Sequence, residues 1–167
     1  ENLLTRRSTR AFLQKEIPDN ELNEILQAAI YAPSGMGKQT WKFTVLCNQE
    51  KIQQLAELIG RKLGRKGYDM YRPQVLIIPS NQKENPHGME DNACALENIF
   101  LAAHSFGIGY VWINQLRTLC DDPEVRALLD EFEIPSDHVV YGMAALGYPA
   151  DAPKKEIHKI GEIRIIK

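Results

Sequence analysis

Apolar side chains recur at Leu22, Ile25, Leu26 and Ala29, the spacing of one helix face, after Pro18 and Asp19 and before Pro33. That pattern predicts a helix with Asp19 as its N-cap and Pro33 as its stop. Trp41, Phe43, Val45 and Cys47 then alternate with Lys42, Thr44 and Leu46, the period of two expected of a strand packed on its Trp/Phe face. Helical spacing returns at Ile52, Leu55, Ala56 and Ile59, and residues 75–78 read as a short buried strand closed by Pro79. Residues 80–90, SNQKENPHGME, are polar and hold Pro86 and Gly88, so they predict an exposed loop.

Residues 91–106 are apolar or small on nearly every face of the helix they predict, which marks a central helix buried on most sides and suited to a dimer axis. Gly107 or Gly109 caps it, and 110–113 form a short strand. Asp122-Pro123 then opens another helix with cap and N1 proline in their preferred order, its core face being Val125, Leu128, Leu129 and Phe132. A strand over 139–146 is ended by Gly147-Tyr148-Pro149. A Lys-rich connector, 150–159, leads to a strand-like segment at 163–166 that reaches away from the body. Helices and strands alternate along the chain, so pattern alone predicts a parallel α/β sheet with crossovers.

At 167 residues, 44% hydrophobic and 25% charged, the chain fits one globular domain spanning 1–167 that needs no disulfide or structural metal to fold. Twenty Lys plus Arg against 22 Asp plus Glu leave a net charge of -2, too balanced for a protein that coats nucleic acid or an anionic membrane. Any basic site must be local. Cys47, Cys94 and Cys120 are odd in number, widely spaced and without a CxxC pair, which argues against a secreted disulfide framework and for a reducing cytoplasm. The most apolar stretch, 96–113, is interrupted by Asn98, His104, Ser105, Gly107 and Gly109, and ENLLTRRSTR is no basic and apolar leader, so neither a membrane span nor a signal peptide is expected.

The sharpest local chemistry is Arg6-Arg7-Ser8-Thr9-Arg10, three guanidiniums and two hydroxyls in five residues. Guanidinium forks match phosphate oxygens, so the cluster reads either as an anion grip or as a solvated basic segment. The loop APSGMGKQT at 32–40 is no phosphate-binding P-loop: Ala32 and Gln39 occupy positions where that motif needs Gly and Ser or Thr, and the segment leaves a helix for a strand instead of the reverse. His87, His104, His138 and His158 pair with no Cys, Asp or Glu at zinc-site spacing, so no metal is expected. No Ser stands in a G-x-S-x-G elbow, and His104 and Ser105, inside the apolar helix, read as packing. Tyr68, Tyr71 and Arg72 either reach a ligand or pack before the strand. Arg61, Lys62, Arg65 and Lys66 form a solvated helix end or a draw for a phosphorylated nicotinamide.

Taken in order, four separated segments make the chain resemble the nitroreductase family of flavin enzymes over nearly its whole length. RRSTRAF at 6–12 is similar to the family's Arg-Arg-Ser-x-Arg signature, and APSGMGKQTWKF at 32–43 to its Ala-Pro-Ser-x-x-Asn-x-Gln-Pro-Trp-x-Phe segment. NACALENIFLAAHSFGIGYVWIN at 92–114 resembles its central helix and Gly-x-Gly-x-x-Trp-Ile turn, and ALGYPADAP at 145–153 its Gly-Tyr-Pro-Ala close. The resemblance implies an α+β fold, a mixed and mostly antiparallel sheet flanked by helices, in an intertwined homodimer with an FMN site at each subunit interface. It therefore replaces the parallel sheet read from pattern.

The same resemblance implies residue roles. Arg6, Arg7 and Ser8 hold the FMN phosphate and ribityl chain, and Arg10 lies nearer the ring, where a cation stabilises the negative charge of reduced flavin at its N1 and C2 carbonyl edge. Pro33, Ser34, Gly35 and Gln39 come from the other subunit. Trp112, Ile113, Asn114 and Gln115 lay main chain along the flavin face, with an amide near N5. His158 and Lys159, or Lys154 and Lys155 in their place, bring a second basic group to the phosphate. Gly37 and Thr40 depart from the family's Asn and Pro, and the short 80–90 loop stands where larger members insert helices, which predicts a more open pocket or one closed by residues 80–90 themselves. The activity implied is hydride transfer from NADH or NADPH to FMN and then, by a ping-pong scheme, reduction of an electron-poor small molecule such as a nitroaromatic or quinone. The alternatives are a non-catalytic flavin-binding or sensing protein of this fold and a phosphate-ligand binder unrelated to flavin.

Overall fold

Asn48 and Asp122 illustrate how local chemistry sets the element boundaries. The Asn48 side chain accepts the Lys51 N–H and opens a helix over Gln49–Lys62, and Asp122 accepts the N–H groups of Glu124 and Val125 to open one over Pro123–Glu131. The computed structural model describes residues 1–152 and 158–167. Its elements are α1 (Asn2–Thr5), α2 (Asp19–Ile30), a 3₁₀ turn (Gly35–Gly37), β1 (Trp41–Leu46), α3 (Gln49–Lys62), β2 (Val75–Gln82), α4 (Gly88–Ser105), β3 (Gly109–Ile113), α5 (Pro123–Glu131), β4 (His138–Val139) and β5 (Met143–Gly147).

The strands form one sheet in the order β1-β2-β5-β3, with β4 pairing the far end of β2. Every pairing among the described residues is antiparallel, so the parallel sheet expected from pattern alone is overturned. The alternation of elements misleads because α3 joins antiparallel neighbours, β1 and β2, and because β5 inserts between β2 and β3, the two parallel strands that α4 connects. Successive strand side chains point to opposite faces, and each face carries its own core. Leu76, Ile78, Met143, Ala145, Val111 and Ile113 meet α3 and α5, while Val75, Ile77, Ala144, Leu146 and Tyr110 meet α2 and α4.

Several local expectations are corrected. Asp19 is the first residue of α2 and makes no capping bond; Pro18 holds the cap position. Residues 80–82 belong to β2, with Ser80 and Asn81 fully buried, because β1 pairs with them on one side and β4 takes up Asn81 and Gln82 on the other. Pro79, expected to end the strand, falls between the stretches of β2 that pair with β5 and with β4, where its missing N–H disrupts no pairing. The strand expected over 139–146 is interrupted after Val139 and resumes at Met143: a Cβ on Gly142 would lie 2.5 Å from the Trp112 ring, which occupies that position. Within one chain α4 is buried on one side only, leaving Met89, Cys94 and Glu97 exposed. Residues 163–166 form no strand, and Ile163, Ile165 and Ile166 are exposed.

The N-terminal segment is strapped across the sheet. Thr9 N–H donates to Tyr110 O at 2.7 Å, Leu13 N–H to Tyr148 O at 2.8 Å, and Ala150 N–H to Ala11 O at 2.9 Å, with a bridge between Phe12 and Pro149. Glycine permits this close approach: a Cβ at Gly109 would stand 2.8 Å from Thr9, and one at Gly147 2.9 Å from Phe12. Gly109→Ala is therefore expected to lift the strap at a cost of about 1–3 kcal/mol, the usual range for overpacking. Urea unfolding of the variant against the parent protein measures this, and equal midpoints would contradict it.

Candidate functional site

The strap builds one wall of a cleft of about 620 Å³, within the size range of small-molecule and cofactor sites. Arg7, Ser8 and Arg10 line it with the hydroxyl-bearing Thr5 and Thr9, and the facing wall carries His104 from the end of α4 together with residues 107–110. Gly107, at φ +72, ends α4 in the left-handed conformation that glycine tolerates. Two guanidiniums and three hydroxyls in one concave surface form a donor set that fits a phosphate ester. His104 Nε2 lies 2.9 Å from Thr5 Oγ1, so His104 belongs to the cleft wall and is not the packing residue expected, while Ser105 is exposed. Both sit on the last turn of α4, past the stretch that faces the sheet.

Arg6 sits beside the cleft and not in its lining. Its Nε donates to the Tyr110 phenol at 2.9 Å, its guanidinium carbon stands 5.7 Å from that ring's centroid, and Glu97 is 3.9 Å away. Burial pushes the Tyr110 phenol up from its ordinary value, and the Arg6 hydrogen bond pulls it partly back. Tyr110 stacks on Phe100 of α4 with centroids 4.6 Å apart, which fixes the strand behind the cleft.

Trp112 lies two residues further along β3, about 7 Å away by strand rise. Trp112 is half-exposed and Ile113 is buried in the core. Trp112 Nε1 donates to Asn114 Oδ1 at 3.2 Å. Gln115 Oε1 accepts both the Asn114 N–H and the Tyr68 hydroxyl, each at 3.1 Å, so one side-chain amide ties this segment to the loop before β2. Burial pushes the Tyr68 phenol up to about 12, which keeps it protonated as the donor.

The remaining predicted residues lie elsewhere. Ser34 and Gly35 sit at the opposite end of α4, where a Cβ at Gly35 would be 2.7 Å from His87, and Pro33 and Gln39 are exposed on the same loop. His158 and Lys159 are exposed in the tail, and Lys154 and Lys155 fall outside the described residues. The structure thus brings Arg7, Ser8 and Arg10 together at the His104 end of α4, separated from the Ser34–Gln39 loop by the 18 residues of that helix, about 27 Å, while Trp112 to Gln115 follow β3 and its end back toward the first turn of α4, where Arg117 donates to Met89 Sδ at 3.1 Å.

A buried polar network holds that distant loop, and none of its members was apparent from motif or spacing. Asp91 Oδ1 accepts the Gly35 N–H at 2.7 Å, and Asp91 Oδ2 accepts from Asn85 Nδ2 at 3.2 Å. Asn85 also donates to Thr40 Oγ1, which donates to Asn81 Oδ1 at 2.7 Å, and Asn81 Nδ2 reaches Asn92 Oδ1 at 3.0 Å. Asp91 lies in the first turn of α4, where the helix dipole favours a carboxylate, and so tolerates being 3% exposed. The signal available in sequence was the density of Asn and Asp between 81 and 92. Asp91→Ala leaves the Gly35 N–H and the Asn85 amide without this acceptor, and is expected to lower stability by about 1–3 kcal/mol. Chemical denaturation checks the loss; a variant as stable as the parent would remove Asp91 from this role.

Comparison with known proteins places this geometry. The nitroreductase family model matches residues 3–74 and 62–148. A nitroreductase with bound FMN from Bacteroides fragilis is 43% identical and superposes with a TM-score of 0.93, covering 99% of this chain and 97% of that one. An FMN-dependent nitroreductase from Clostridium difficile R20291 is 31% identical at a TM-score of 0.79, over 93% of this chain and 90% of that one. Among curated proteins, the FMN reductase (NADPH) of Bacillus subtilis is 26% identical over 93% of this chain and 68% of its own length. With its antiparallel sheet, its strapped arginine cleft and these matches along its length, the chain belongs to the nitroreductase family.

Proposed function

We propose that the protein is an FMN-dependent oxidoreductase that draws on NADH or NADPH and passes the electrons to an electron-poor small molecule, such as a nitroaromatic or a quinone. The observation that carries this reading is the juxtaposition of a phosphate-suited cleft at one end of β3 with half-exposed Trp112 and the Asn114–Gln115 turn at the other. FMN, when bound, would supply the redox chemistry that couples oxidation of the nicotinamide to reduction of the second substrate.

This chain's own residues bind and orient. Arg7 and Ser8 hold the phosphate within the cleft, and Arg6, braced by Tyr110, adds positive charge beside it. Arg10, at the exposed side of the same wall, stabilises negative charge on the ring when it is reduced. The Trp112–Gln115 backbone, fixed by Gln115 and Tyr68, offers amides along one edge. His158 and Lys159 serve as the second source of positive charge at the phosphate.

The active form in this reading is a homodimer. Pro33, Ser34, Gly35 and Gln39 stand a whole helix length from the arginine cleft of their own chain, so a second copy is needed to bring them to the same flavin. Leu4 is 82% exposed, Tyr31 82% and Met36 84%, apolar surface on the first helix and around the α2–β1 connection that a partner subunit covers. The exposed isoleucines of the tail extend the same argument to residues 158–167. The exposed free thiols of Cys47 and Cys94 suit the reducing cytoplasm.

Protein loaded with FMN and freed of excess is expected to keep a flavin band that bleaches when NADH or NADPH is added without oxygen. Arg7→Ala is expected to weaken FMN retention about tenfold or more, the scale of one lost charge-assisted contact. Arg10→Ala should in addition shift the flavin potential downward. A retained band that neither nicotinamide bleaches would favour a flavin-binding module, and unchanged retention and potential in both variants would refute the residue roles.

A further inference from the structure

A second recess, of about 390 Å³, lies outside the cleft and its strand, where α3 ends and the chain turns toward β2. Arg61, Arg65 and Lys66 line it with Tyr68. The charges there are unequal. Arg61 is bound to Glu124 at 2.7 Å, and neighbouring Lys62 to Asp122 at 2.9 Å and Glu124 at 3.0 Å, pairings that raise the Lys62 amine and lower both carboxylates. No carboxylate pairs with Arg65 or Lys66 among the described ion pairs, and both are exposed. Glu57 is the one carboxylate among the lining residues.

The recess is joined to the segment that faces the flavin by one side chain. Tyr68 packs where a Cβ on Gly60 would lie 2.9 Å from it, has the Arg65 guanidinium 6.0 Å from its ring centroid, and donates its hydroxyl to Gln115. The cationic recess and the Trp112–Gln115 segment are therefore two sides of one tyrosine.

The backbone of this connection is also the most strained in the described structure. Met70, Tyr71 and Arg72 run consecutively at φ 51, 66 and 48, and Gly64 and Gly67 are left-handed as well. Left-handed non-glycine residues are strained and persist where the surroundings over-determine them, which concentrates them at ligand sites. The restraints are visible: Met70 is fully buried, and Asp69 accepts the Tyr71 N–H on its side chain and the Arg72 N–H on its carbonyl. Met36 and Gln39, left-handed but not consecutive, lie in the loop assigned to the flavin.

We propose that this recess binds the 2′-phosphate of NADPH, with Arg65 and Lys66 as its ligands, and so sets a preference for NADPH over NADH. The inference rests on the oxidoreductase reading above and adds the identity of the reductant. A nicotinamide presented at the Trp112–Gln115 segment leaves its adenosine half to reach outward past Tyr68, whose ring flanks the cations. A dianionic ester at that point meets two cations with which no described carboxylate pairs, whereas the neutral 2′-hydroxyl of NADH gains little from either.

In the FMN-loaded protein, the double variant Arg65→Ala/Lys66→Ala is expected to lower the ratio of kcat/KM for NADPH over that for NADH about tenfold, through KM. Both residues are exposed, so the fold survives the change. A ratio that stays the same overturns the assignment. Calorimetric titration with adenosine 2′,5′-bisphosphate, which needs no turnover, should show binding to the parent protein that weakens about tenfold in the variant and exceeds binding of adenosine 5′-monophosphate. Equal binding by both proteins, or none by the parent, also refutes it. Failure to retain FMN, or to bleach with either nicotinamide, would instead bring down the oxidoreductase reading, and the titration would still decide what the recess binds.

Discussion

One helix sets the distances on which the rest of the molecule depends. Helix α4 lies on the sheet through Leu96, Ile99, Phe100 and Ala103, and its stiffness holds the Asp91 network at one end and the His104 corner at the other. A buried helix of this length neither bends nor shortens without breaking core contacts, so the arginine cleft and the Ser34–Gln39 loop stay apart in every conformation that keeps the core. A ligand that touches both must therefore meet residues of two chains. The homodimer proposed above rests on this spacing as much as on exposed apolar surface.

The sheet supplies the second constraint. Because β5 is the one strand that β3 pairs with among the described residues, its outer side is where the N-terminal strap docks, and glycine at 109 and 147 admits it. A tetrad of basic and hydroxyl residues that would be a loose tail on its own is thereby bound to a fixed surface. Binding chemistry carried on a strap costs little ordering entropy when the ligand arrives, since the main chain is already held by the sheet.

Much of this was legible in the residues. The period of two at Trp41 to Leu46, the helical spacing after Asn48 and the Asp122-Pro123 start all match their elements, because each depends on contacts a few residues apart. The burial of Ser80 and Asn81 was not legible, because polarity was read as exposure while pairing on both sides satisfies their backbone groups. Strand direction was also hidden, since pairing partners lie far apart in sequence. At the site, Arg7, Ser8 and Arg10 could be named in advance from their chemistry. Asp91, Asn85 and His104 could not, because their roles come from what the fold brings beside them: the Gly35 amide, Thr40 and the Thr5 hydroxyl.

The two tryptophans of the chain occupy telling positions. Trp112 stands on β3 beside the arginine cleft, half-exposed and pressed against Gly142, and Trp41 begins the strand that leaves the Ser34–Gln39 loop, its ring 5.7 Å from Phe43. Each half of the proposed binding surface thus carries one indole, and the rest of the molecule carries none. On that reading its ultraviolet emission would serve as an intrinsic optical gauge of occupancy, with the two halves reporting through different side chains and no label attached.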